Sequence, residues 1–84
     1  MPKGTVAILN HNRGMYTVEL SDGSYSIFEL LGANEINLKD VISGPLDEEG
    51  SCMLKNLNED EEFEAVVQNT GLNLGMAKIR TMLT

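Results

Sequence analysis

The chain has 84 residues, a single cysteine and a formal net charge of −7. That length allows one domain, residues 1–84, with a small core, and Cys52 alone excludes both an internal disulfide and a zinc site built mainly on cysteines. An apolar content of 42% excludes wholesale disorder, and the absence of any apolar run near ~18 residues or of a signal-peptide-like stretch leads to the expectation of a cytoplasmic domain with no membrane partner.

In chain order, the first β-like run is Gly4 to Leu9, with Thr5, Val6, Ile8 and Leu9, and it ends at Asn10-His11-Asn12-Arg13-Gly14. Asn and Gly tolerate the left-handed backbone that a tight connection needs. The second run, Met15 to Leu20, alternates: Tyr16, Val18 and Leu20 share one face, Met15, Thr17 and Glu19 the other. A two-residue period predicts a strand with one buried and one wet face. Asp22-Gly23 then gives a hairpin signal before the third run, Ser24 to Leu30. These three antiparallel strands decide the fold class.

Ile36 to Lys39 reads as loop or one helical turn, Asp40 to Gly44 as a fourth strand, and Ser51 to Leu54 as a short return strand after the turn Asp47 to Gly50. Residues 55–62 are polar and read as loop, with the start of a helix as the alternative. Phe63, Ala65 and Val67 mark another alternating strand, and Asn69-Thr70-Gly71 is expected to turn the chain. Leu74 to Leu83 suits either state. Ala77, Ile79, Thr81 and Leu83 share strand parity, Met76, Ile79 and Leu83 lie at helical spacing, and local propensity favours helix. A strand is expected, because it would close a barrel and hide its edges. The architecture predicted is all-β, a small OB-like barrel of five to six strands; the alternative is an open sheet with a C-terminal helix.

Lys3, Gly4, Val6, Asn10, Arg13 and Gly14, with a hydrophobic strand behind them, carry a resemblance to a known family. Their spacing resembles the opening of the cold-shock domain, Lys-Gly-x-Val-Lys-Trp-Phe-Asn-x-x-Lys-Gly-Phe-Gly-Phe-Ile. Arg13 stands for the second lysine and Val18 for the isoleucine. The match covers roughly the first 18 residues in motif and the rest in layout. The resemblance implies a five-stranded OB barrel that binds single-stranded nucleic acid. The family's ligand face stacks bases on exposed rings, each contributing about 1–3 kcal/mol. Here Ile8 replaces the family's Trp, Met15 and Thr17 replace two Phe, and Tyr16 takes the place of the glycine between them. The second motif falls near Tyr25 to Glu29, where Phe28 supplies the ring expected to point outward.

No catalytic constellation stands out, and no enzyme activity or cofactor is expected. His11, the only histidine, sits in a turn; Cys52 has no base beside it; and the acidic run Glu59 to Glu62 lacks the spacing of a calcium loop. Charge is uneven. Residues 35–69 hold ten acids against Lys39 and Lys55, whereas residues 70–84 hold Lys78 and Arg80 and no acid. The overall negative charge repels phosphate, although the chain ends leave a less acidic face. The resemblance implies a weak single-stranded RNA- or DNA-binding module that uses Lys3, Ile8, His11, Arg13, Met15, Tyr16, Phe28, Lys78 and Arg80. The alternative is a protein-interaction module, binding another protein or a second copy, on a barrel that has lost the stacking face.

Overall fold

A computed structural model describes residues 2–82. Six strands form: β1 Lys3–Asn10, β2 Met15–Leu20, β3 Tyr25–Leu30, β4 Val41–Ser43, β5 Gly50–Asn56 and β6 Glu61–Leu72. A helix follows, α1 Leu74–Met82. The sheet closes in the order β1-β2-β3-β6-β5-β4, with β4 pairing back to β1, and every pairing is antiparallel. Two three-stranded meanders, β1–β3 and β4–β6, are therefore joined along both sides. In size and closure the barrel agrees with the OB-like architecture expected from the sequence, with six strands and an added helix.

The alternation read from the sequence now has a direction. Tyr16 and Val18 of β2, Phe28 of β3, Ile42 of β4, Leu54 of β5, and Phe63, Ala65 and Val67 of β6 all point inward. Tyr16 stacks on Phe28 with ring centroids 5.5 Å apart, and Phe28 meets Phe63 at 5.7 Å. Ile36 and Leu46, from the connections on either side of β4, complete the same core. In β1 the register slips between Val6 and Ile8. This bulge lets Val6 and Leu9 both face inward, which explains why the first run is apolar without strict alternation. Gly4 also belongs to this packing: a Cβ there would lie 2.8 Å from that of Val18.

A buried polar clasp fixes the long β3–β4 connection. The Asp40 carboxylate accepts from the Asn37 amide at 3.0 Å and from Asn56 Nδ2 at 2.8 Å. The Asn56 side-chain oxygen in turn accepts from the amides of Asn58 and Glu59. Residues 55 and 56 thus finish β5, residues 57–60 form a tight turn, and Glu61 and Glu62 already belong to β6, so the segment read as a polar loop is half strand and half turn.

Two further expectations are corrected. Asn69-Thr70-Gly71 does not turn the chain; β6 runs on to Leu72, and two register slips against β3, with Gly71 at φ 65°, absorb the irregularity as a bulge. Residues 74–82 form a helix and not a strand; Leu83 lies outside the described residues. The physical reason is closure. Pairing of β4 with β1 and of β3 with β6 leaves no free edge, so local propensity decides the last segment. Asn73 caps the helix, its side-chain oxygen accepting from the Met76 amide at 2.9 Å.

Candidate interaction surface

The outer face of the first meander carries one row of paired residues: Ile8 on β1 faces Thr17 on β2, which faces Ile27 on β3. Helix α1 lies against these three strands. Ala77 and Thr81 are its buried residues, and Thr17 and Ile27 are fully buried opposite them. The hydroxyls of Thr17 and Thr81 hydrogen-bond to each other, and the Thr81 hydroxyl also donates to the Ala77 carbonyl at 2.6 Å. Thr17, expected on a wet face, is therefore covered by the helix.

Two residues of the β1–β2 turn region hold the far end of α1. Asn10 Nδ2 donates to the Thr81 carbonyl at 3.0 Å, and an Arg13 guanidinium nitrogen donates to the Arg80 carbonyl at 2.9 Å. The last carbonyls of a helix lack partners within it and carry partial negative charge, so a cation there is favourable. Five of the six residues that carry the family resemblance thus have structural roles. Gly4 permits close strand approach, Val6 fills the core, Gly14 adopts φ 67°, and Asn10 and Arg13 anchor α1.

The other residues expected to meet nucleic acid scatter. Phe28 is fully buried and Tyr16 nearly so; the expectation that Phe28 points outward is corrected, because it pairs with Tyr16 on the inward parity. Ile8 is half-buried in the row beneath α1, and Met15 is half-buried beside it on β2. His11 is exposed, with Nδ1 3.1 Å from the Tyr16 hydroxyl. Lys3 lines a shallow hollow of about 250 Å³ with Gly4, Thr5, Glu19, Leu20, Ser21 and Val41. Arg13, Lys78 and Arg80 gather around α1 and are exposed.

The largest departure from sequence expectation is the outer side of α1. Small residues face the barrel, and the large apolar ones face solvent: Leu74, Met76, Ile79 and Met82 are all exposed, Ile79 by 62%. At 100° per residue, Ile79 stands opposite the Ala77–Thr81 side, Met76 and Met82 flank it, and Lys78 and Arg80 border the stripe. The signal was present as helical spacing of Met76 and Ile79, but that spacing is ordinarily taken to mark the buried side.

Burial raises the Cys52 thiol above its usual range, which disfavours the nucleophilic thiolate. Among the described residues no group of three or more His, Cys, Asp or Glu is placed to hold a metal ion, and no helix is long and apolar enough to cross a membrane. Neither a protein-family model, nor a curated protein, nor a solved structure matches this chain.

Proposed function

We propose that this domain is a non-catalytic protein-interaction module whose docking element is the outer stripe of α1. The observation that carries this reading is the inverted helix, which spends Ala77 and Thr81 on the barrel and leaves Met76, Ile79 and Met82 in water. Apolar side chains at i, i+3 and i+6 suit a helix-in-groove contact, and Met adapts readily to a partner's surface. The barrel serves as a rigid mount, with Asn10, Arg13 and Thr17 setting the helix on it.

Nucleic-acid binding is the second reading. A small closed barrel is compatible with it, and the observation in its favour is a basic corner where Arg13 meets the end of α1 that carries Arg80, with Lys78 on the other side of the helix and His11 in the adjoining turn. Such a corner suits phosphate contacts. Among the described residues, its exposed ring for base stacking is the His11 imidazole, since Tyr16 and Phe28 are in the core.

A photoreactive residue at position 79, with one at exposed Thr5 as control, separates the readings in cells. The expected product is a discrete adduct from position 79 that survives nuclease. A nuclease-sensitive adduct, or no adduct, overturns the interaction reading.

A further inference from the structure

A second surface on the barrel complements α1 in both polarity and charge. It lies on the outer face of β3, β6 and β5, two strand positions around the barrel from the middle of the helix-covered meander. Met53 of β5 pairs across from Glu64 of β6, and the Leu31 amide donates to the Glu64 carbonyl on the other side. In the neighbouring row Glu29 pairs with Val66, and Val66 with Ser51. Leu31 and Met53 are each about half exposed at 52% on either side of Glu64, and Val66 is half-buried in the next row. Glu62 and Glu64 are exposed, and Glu29 is half-buried and accepts from Gln68. Among the described residues the one cation on this face, Lys55, already pairs with Asp60 at 3.1 Å. The result is a face on which apolar side chains alternate with carboxylates.

We propose that the occupant of this face is α1 of a second copy of the chain. The inference deepens the interaction reading above and rests on it. Met76, Ile79 and Met82 of one copy lie over Leu31, Met53 and Val66 of the next, while Lys78 and Arg80 meet Glu62, Glu64 and Glu29. Exposed apolar patches such as the stripe on α1 mark contact surfaces, and complementary charge fixes register and excludes wrong partners. The contact is heterologous, one surface against a different one. Each added copy leaves both surfaces free at the ends, so assembly proceeds past the dimer to rings or chains. The domain's net charge of −7 opposes this at low ionic strength. Physiological salt screens that long-range repulsion beyond about 8 Å and affects pairs in contact much less.

Sedimentation velocity of the whole chain at physiological salt, from micromolar to millimolar, tests the inference. The expected result is a mass that rises with concentration beyond two copies. A double variant Lys78→Glu/Arg80→Glu and a second double variant Glu62→Lys/Glu64→Lys change exposed positions only, and circular dichroism confirms their folds. Each alone is expected to associate at least about tenfold more weakly. An equimolar mixture regains association, because each reversed surface then finds its opposite. Association that stops at the dimer, variants that associate as well as the natural chain, or a mixture that stays monomeric each overturns the head-to-tail contact. A natural chain that is monomeric throughout overturns self-docking but leaves α1 free to dock on another protein. Failure of the interaction reading itself shows instead in the adduct at position 79.

Discussion

Replacing Ala77 with Glu places a carboxylate where α1 meets Thr17 and Ile27, at a site with no exposed surface. Keeping an unpaired charge there would cost several kcal/mol. The helix has a cheaper response, which is to leave. Undocking exposes Ile27, at about 1.5–3 kcal/mol. It also releases the bonds from Asn10, Arg13 and Thr17, each contributing about 0.5–1.5 kcal/mol, while the freed residues regain conformational entropy. The net expected loss is about 2–4 kcal/mol. A chain of this size is stable by about 4–13 kcal/mol, more than the loss over nearly all of that range, so the barrel is expected to remain folded. Since 1 kcal/mol shifts the midpoint of so small a domain by about 4–8 °C, a drop of about 8–30 °C is expected. Thermal melts followed by circular dichroism, with amide exchange read residue by residue, check this. Protection should vanish across α1 and weaken at Thr17 and Ile27, yet persist at Val18, Leu54 and Val67. A barrel that unfolds outright, or a variant that melts with the natural protein, would refute the reasoning that α1 is a separable layer.

Three other outcomes follow from the core. Burial raises the Tyr16 phenol above its ordinary value of 10.0, so this residue contributes stability below that pH and loses it as pH rises through the higher folded-state value. Tyr16→Phe should therefore flatten the decline in melting temperature in the alkaline range, and an unchanged slope would remove Tyr16 as a cause. Gly44 sits at φ 149°, with a hypothetical Cβ only 2.5 Å from Leu54 Cδ2 and 3.1 Å from the Met53 carbonyl. Gly44→Ala should cost about 1–3 kcal/mol in urea unfolding. Ser26 Oγ is buried in the barrel without a hydrogen-bond partner. Ser26→Ala is expected to leave stability unchanged or raise it by about 1 kcal/mol, and a clear loss would mean the hydroxyl has a partner after all.

The strands of the first meander were legible because half-buried strands write their two-residue period directly into Tyr16, Val18 and Leu20, and because Asp22-Gly23 is chemistry that only a tight turn uses. Phe63, Ala65 and Val67 announced β6 in the same way, and the turn residues marked where β4 and β5 begin. All of this is local. The lengths of β5 and β6 were harder to read, since polar outward residues such as Lys55, Glu61 and Glu62 look alike in a loop and on the wet side of a strand.

What the sequence by itself determined is thus a small, mainly β fold, its strand starts, its acidic middle and basic end. Tertiary structure alone decided which side of each strand is truly buried. Parity put Phe28 and Thr17 on definite faces relative to their neighbours, but closure turned Phe28 inward, and α1 then covered Thr17 and Ile27 on the outside. It decided the state of residues 74–82 too. A barrel with no open edge cannot take another strand, so a segment compatible with both states became a helix. And it decided the helix's orientation. The close fit over the Ile8–Thr17–Ile27 row, with its buried hydroxyl pair, selects small side chains and pushes the large apolar ones outward. Periodicity specifies which residues share a face; only the shape of the surface beneath specifies which face is hidden.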